Sequence, residues 1–280
     1  MQKLNTKTNR NRNRNRHRNQ QRFSKNNATP PQRIQKVLAQ MGLGSRRQIE
    51  QWIAEGRVQI NGKTAVLGQT ISQSDKIRAN GKLVDIKHSF SHLGSLNKVR
   101  ILLYHKPEGE IVSVKDPKNR PTVFAHLPRL RNAKWINVGR LDFNTSGLLL
   151  FTTSGELANR LMHPSSGIIR EYSVRILGEL TLESQQKLLR GVEIDGELCQ
   201  FQSLEEVGGT GANRWYKVTL SEGKNREVRK LFASVNCTVS RLIRIRYGNL
   251  ILPPLLRRGK TYELTPKEVS WFMKNTFDTR

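Results

Sequence analysis

The sequence predicts an α+β protein in two parts, a small helix-and-hairpin domain over residues 32–90 and a larger domain over 99–275 built on a mainly antiparallel sheet with flanking helices. Three observations lead there. Helical apolar spacing comes in short pieces, and in the second part these are interspersed with strand-like runs without the regular alternation of a parallel fold. Two Asn-Gly pairs in the first part mark tight hairpins. Between the parts runs a Ser-, Gly- and His-rich stretch, His88–Lys98, whose residues 91–98 read as a linker.

Residues 1–31 precede both parts. Arg10, Arg12, Arg14, Arg16 and Arg18 alternate mostly with Asn, and so little apolar surface cannot offset the entropy of ordering the chain. This basic tail is expected to be disordered when free, and to act as a sequence-blind arm on RNA phosphates or merely to solubilise the chain. After Pro30-Pro31, Ile34, Val37, Leu38 and Met41 recur at helical spacing until Gly42 and Gly44 end the pattern. Ser45 and Gln48 then form a capping box for a second helix, which should bury Ile49, Trp52 and Ile53 and stop at Gly56. Arg46 and Arg47 fall in its first turn, where cations oppose the helix dipole, which points to an external anion. Hairpins follow at Asn61-Gly62 and Asn80-Gly81.

In the second part the strand candidates are Val99–Tyr104, Trp135–Val138, Leu148–Phe151, Glu171–Leu177, Trp215–Leu220 and Leu242–Tyr247. Helix candidates are Glu156–Met162, capped by Ser154 and closed by Pro164, then Leu182–Leu189 and Glu227–Val235.

Charge restricts the partners. The 280 residues carry a net +27, and setting aside the nine Lys and Arg of the acid-free first 31 residues still leaves +18, so the folded part is basic in its own right. An extended polyanion, nucleic acid first, is the expected partner. No apolar run approaches the length of a membrane span, so no membrane partner is expected. Two cysteines, Cys199 and Cys237, lack metal-ligand companions at short spacing, which indicates neither a disulfide framework nor a zinc site. A cytoplasmic, monomeric protein is expected, with an N-terminus too poor in apolar residues for a secretion signal.

Within Val138–Phe151 one acid, Asp142, sits in a polar turn between apolar segments. From Pro117 to Gly155 it is the only acid, among Lys118, Arg120, Arg129, Arg131, Lys134 and Arg140, so its carboxylate should be held ionised with a depressed pKa. Gly147 allows a sharp turn, and Leu148–Phe151 is short enough for a buried strand that would hold it. Asp142 is then either a poised nucleophile or a turn residue paired with Arg140. A calcium loop starting at Asp142, Asn144 and Ser146 fails at its twelfth place, where Thr153 stands instead of a bidentate Glu, so no metal ligands are assigned. Tyr172 and Arg229, taken alone, read more readily as a strand aromatic and a surface helix residue than as functional groups.

The first part resembles the small RNA-binding domain first known from ribosomal protein S-four, through Arg33–Leu38, Gly44–Arg47 and Gly56–Gly62. That resemblance implies a grip on structured RNA by shape and phosphates, with Arg33, Arg46, Arg47 and Lys63 as contacts. The second part resembles the RsuA/RluB branch of pseudouridine synthases. Gly139-Arg-Leu-Asp-Phe-Asn-Thr-Ser-Gly-Leu-Leu149 matches its nucleophile motif, Gly-Arg-Leu-Asp-x-x-Thr-x-Gly-Leu-Leu; Lys106–Gly109, Arg170–Tyr172 and Gly223–Arg229 match its other motifs in order. Asn213–Val218 and Ser240–Gly248 look closest to members that modify a helix of large-subunit ribosomal RNA.

The resemblance implies that Asp142 attacks a flipped-out uridine, Tyr172 stacks on its base, Arg229 keeps Asp142 ionised, and Arg140, Lys224 and Arg226 hold the RNA. No cofactor is implied. A non-catalytic RNA chaperone or assembly factor using the same basic surfaces is the alternative reading; a DNA-binding protein fits the charge but brings no recognition-helix motif.

Overall fold

A computed structural model describes residues 30–86, 99–131, 133–211 and 213–277. The expected linker and nearly all of the basic tail lie outside these residues. The chain divides into two compact units, one carrying the elements before Ile86 and the other those after Val99.

In the first unit β1 (Gln32–Arg33) leads into α1 (Ile34–Gln40) and α2 (Arg46–Ala54), followed by β2 (Val58–Ile60), β3 (Lys63–Thr64), β4 (Thr70–Ile71), β5 (Ile77–Ala79) and β6 (Lys82–Val84). β1 pairs with β4, and β3-β2-β5-β6 form an antiparallel sheet. The cap is as the sequence predicts: the Gln48 N–H donates to Ser45 Oγ at 3.1 Å. Asn61 and Asn80 adopt left-handed φ values of 52° and 51°, each followed by a left-handed glycine, as a two-residue hairpin turn requires. Ile34, Val37, Leu38, Ile49, Ile53, Val58 and Ile77 form the core. Trp52, expected inside, is only half-buried, because its ring lies under the Arg57 guanidinium, 5.4 Å from the centroid, at the edge of the helix.

The second unit comprises β7 (Ile101–Lys106), β8 (Ile136–Val138), β9 (Ser146–Thr152), α3 (Gly155–Met162), β10 (Arg170–Leu177), α4 (Leu182–Arg190), β11 (Val192–Ile194), β12 (Glu197–Cys199), β13 (Ser203–Thr210), β14 (Asn213–Leu220), α5 (Glu227–Ala233), β15 (Thr238–Tyr247), β16 (Leu250–Ile251), β17 (Thr261–Glu263) and α6 (Pro266–Phe277). Its main sheet runs β13-β14-β10-β15-β9-β7-β17, with β16 beside β15 and β8 beside β9. The sheet is antiparallel except where β9 and β15 run parallel, at Ser146 opposite Ile243 and Gly147 opposite Arg244.

β9 is buried along its whole length. Leu149 and Phe151 join the core on one face, and Leu148 and Leu150 the core on the other, so this central strand is clamped between two apolar layers. α5 closes the first layer with Val228, Leu231 and Phe232; α3 and α6 close the second with Leu157, Leu161, Val269 and Phe272. β10 alternates, with Tyr172, Val174 and Ile176 inward and Glu171, Ser173 and Arg175 on the half-exposed face. Among the described residues no helix is long and apolar enough to cross a membrane.

Candidate active site

The turn that carries Asp142 enters the rigid strand β9 directly. Its backbone is held at four consecutive carbonyls. Lys106, at the end of β7, donates from Nζ to the Asp142 oxygen at 3.1 Å and the Thr145 oxygen at 2.8 Å, as well as to Pro107 at 2.8 Å. The Gly109 N–H donates to the Phe143 oxygen at 2.9 Å. Arg229, on α5, donates from Nη2 to the Asn144 oxygen at 2.7 Å and from Nη1 to the Val239 oxygen at 2.9 Å. Two segments far apart in sequence, Lys106–Gly109 and α5, thus fix the turn, leaving the half-buried Asp142 side chain no freedom through its own backbone.

The Lys106 side chain is fully buried. Burial pushes its pKa down to about 8, while the negative charges of Glu110, Asp142 and Glu108 oppose the shift. Arg229 is shifted downward too, first by burial and then by Arg226, against the pull of Asp142 and Glu108. Two cations, the buried Lys106 and the half-buried Arg229, therefore lie in the field of Asp142. Neither makes an ion pair with it among the described residues, and nor does Arg140, which is exposed. The expected Arg229 contact reaches the turn through a backbone oxygen instead.

Gly147 follows at φ 108°. A Cβ there would lie 2.3 Å from the Arg244 backbone oxygen and 2.5 Å from its nitrogen, so only glycine lets β15 approach. That approach brings Arg244 into the site. Its Nε donates to the Leu148 oxygen at 2.8 Å, and its guanidinium carbon lies 5.1 Å from the centre of the Tyr247 ring. Arg170 flanks the same ring at 5.1 Å and donates to the Ser221 oxygen at 2.8 Å.

A cavity of about 490 Å³ opens beside the turn, lined among others by Asp142, Tyr172, Arg140, Arg170, Arg244 and Glu227. Tyr172 is 8% exposed, and its hydroxyl has no hydrogen-bond partner among the described residues. Glu227 is buried; its pKa is raised by desolvation, against the Lys224 backbone N–H, which donates to Oε2 at 3.0 Å. Arg226, at the cavity rim, is exposed and holds a left-handed φ of 52°. Lys224 also lines the cavity, but its ammonium is taken up by Glu197 and Glu222, each at 3.1 Å. In the first unit Arg33, Arg46, Arg47 and Lys63 are all exposed.

Four residues with evident work here carried no role in the sequence reading: Lys106, Arg170, Glu227 and Arg244. Arg244 had a visible signal, since a cation at an inward strand position among Leu242, Ile243 and Ile245 needs buried partners. Lys106 stood out only as the first residue of the Lys106–Gly109 motif, with nothing in the sequence to say that its ammonium would be buried against the turn.

Comparison with known proteins settles the class. A family model described as RNA pseudouridylate synthase matches residues 100–234, and an S4 domain model matches residues 32–77. A ribosomal large subunit pseudouridine synthase B from Yersinia pestis is 50% identical over 242 residues, 86% of this chain and 74% of that protein. The chain belongs to the RNA pseudouridylate synthase family. The synthase B of Salmonella typhi is 51% identical over 235 residues, 83% of this chain and 79% of that one. That of Pseudomonas aeruginosa is 48% identical over 239 residues, covering 85% and 61%. A crystal structure described as a pseudouridylate synthase shares the fold, with a TM-score of 0.58 at 24% identity over 86% of this chain and 99% of that one. The protein is accordingly a pseudouridine synthase, an isomerase, with an RNA-binding S4 domain ahead of its catalytic unit.

Proposed function

We propose that this pseudouridine synthase isomerises a uridine of large-subunit ribosomal RNA, with Asp142 as nucleophile and the target nucleotide flipped out of its stack into the cavity. The observation that carries the reading is the convergence of Asp142, Tyr172 and several cations on one cavity of nucleotide size. The large-subunit target rests on the relatives, whose names state that substrate.

The reaction breaks the bond from N1 of the base to C1′ of the ribose, turns the base, and forms a bond from C5 to C1′. C5 then loses its proton and N1 gains one, so nothing is added or removed overall. Asp142 supplies the electron pair, whether to C6 of the base or to C1′, and is released at the end. Such a carboxylate must be ionised and fixed in place. Lys106 and Arg229 place positive charge toward Asp142, and the four bonded carbonyls supply the fixity. Tyr172 stacks on the base. Arg140 and Arg226, exposed at the rim, meet phosphates, while Lys224, already paired, contributes less. Arg33, Arg46, Arg47 and Lys63 grip the surrounding RNA fold. Extruding a base costs a few kcal/mol, which these phosphate contacts offset.

Asp142→Asn preserves shape and removes the charge. It should abolish pseudouridine formation in a ribosomal RNA transcript while leaving RNA affinity within about threefold, since binding belongs to the cations. Product above a trace from the Asn variant, read by tritium release or chemical mapping, would remove Asp142 from the nucleophile's role.

A further inference from the structure

Three residues that line the cavity each carry a buried polar atom without a hydrogen-bond partner among the described residues. The atoms are Glu227 Oε1, Arg244 Nη2 and the Thr145 hydroxyl. Glu227 is 4% exposed and Arg244 2%, so neither is a surface charge that water can serve. Both side chains are tethered at their other atoms, Glu227 through Oε2 to the Lys224 N–H and Arg244 through Nε to the Leu148 oxygen. What remains free is therefore oriented. A buried donor or acceptor left unpaired costs about 1–3 kcal/mol, and a fold keeps such groups where a ligand completes them.

The free set consists of one carboxyl oxygen, one guanidinium N–H and one hydroxyl. The pairing edge of uracil offers an N–H at N3 between two carbonyl oxygens, O2 and O4. An acceptor with donors on either side is its complement. We propose that Glu227 and Arg244 read the base that enters the cavity: Glu227 Oε1 accepts the N3–H of uracil, and Arg244 Nη2 donates to an adjoining carbonyl oxygen, with the Thr145 hydroxyl available to the other. Glu227 and Arg244 are thus specificity-determining residues for the reaction. Cytosine has a lone pair at N3 in place of the N–H, and it would meet the lone pairs of Glu227. This inference rests on the reading that a flipped uridine enters beside Asp142.

The experiment uses the full-length protein and a large-subunit ribosomal RNA transcript whose modified position is first mapped with the wild type. Competitor transcripts then carry uridine or cytidine at that position. The wild type should favour the uridine competitor by about ten- to a hundredfold, the range expected of a specific hydrogen-bonded base contact. Glu227→Gln, which can turn an amide N–H toward N3 of cytosine, should shrink that preference below about threefold and lower kcat/KM on uridine by about tenfold. A folded Gln variant that discriminates as the wild type does would overturn the proposal.

A second arm needs no variant at this buried position. A transcript with 3-methyluridine at the target replaces N3–H by N3–CH3 and keeps both carbonyl oxygens, and the wild type should bind it about tenfold more weakly; equal binding overturns the assignment of Glu227. The two levels fail differently. If the wild type converts no uridine, the reading of the cavity itself falls and this inference with it; if it converts uridine but the competitor ratios do not respond, only the base-reading role falls.

Discussion

Tyr172 offers two separable properties at one position. Its ring lines the cavity, and its hydroxyl is unpaired among the described residues, so it can stack on a base and also take a proton from C5 once the new bond has formed. Tyr172→Phe keeps the ring alone, and Tyr172→Leu keeps neither the ring nor the hydroxyl. Stacking of a base on an aromatic ring is worth roughly 1–3 kcal/mol, so the Leu variant should bind substrate RNA less tightly and the Phe variant normally. If the hydroxyl is the general base, the Phe variant should turn over about 10²–10⁴-fold more slowly at normal affinity. Single-turnover rates measured beside binding isotherms separate the two, and a Phe variant at full speed would confine Tyr172 to stacking. In sequence, Tyr172 was legible as an inward residue of an alternating strand. Its neighbours in space were not, because no periodicity connects β10 to a turn some thirty residues earlier.

At the level of elements, the turn before β9 depends on two devices that can be tested independently. Gly147→Ala forces a Cβ against the backbone of β15, which a paired strand cannot yield. Strain and overpacking together should cost at least about 3 kcal/mol, and thermal unfolding should show a melting temperature lower by roughly 6–12 °C. The second device is Lys106. Its pKa of about 8 lies below the usual lysine value, so between about pH 8 and the ordinary range the unfolded chain holds a proton that the folded protein lacks. Through this group, stability rises with pH across that window. Activity should move oppositely, because neutral Lys106 withdraws a cation from beside Asp142 and leaves one of three carbonyls without its donor. A rate that falls with an apparent pKa near 8 in the wild type, and loses that limb in Lys106→Met, is the expected outcome; a limb unchanged in the Met variant would assign it elsewhere.

Most of these elements were legible in the sequence. β9 was visible as a bounded apolar run, and α2 and α3 were visible through Ser45 and Ser154, which both cap as expected. β13 was not legible, since an edge strand with nearly every residue exposed has no alternation to detect. α6 was missed although its signal was present: the Thr265 and Glu268 pair caps it reciprocally, at 2.7 Å and 3.3 Å, behind a proline at its first position. Its exposed Trp271 falls out of phase with the buried Val269 and Phe272, which blurs the helical period.

At the scale of the whole molecule, cations are divided between a body of net +18 and a tail that holds nine of them without a single acid. The two should contribute differently to RNA binding. Each phosphate neutralised releases counterions, so log K falls with log salt by about 0.7–0.9 per contact. Deleting residues 1–31 should therefore weaken affinity for any RNA and flatten that slope by as much as roughly 6–8 if all nine cations engage. Target choice should stay the same, because the alternating Asn-Arg pattern presents charge without shape. Arg46→Ala with Arg47→Ala should behave in the opposite manner. Those two cations sit on the first turn of a capped helix, exposed and fixed relative to one another, so their loss should lower the slope by only about 1–2 yet weaken structured RNA more than single strands. Salt titrations of the truncated and double-Ala proteins on a folded ribosomal fragment and on an unstructured strand give all four slopes, and mapping the product position completes the test. A truncated protein that modified a different uridine would show that the tail reads shape or sequence. A double-Ala variant weakened equally on both RNAs would reduce Arg46 and Arg47 to general charge.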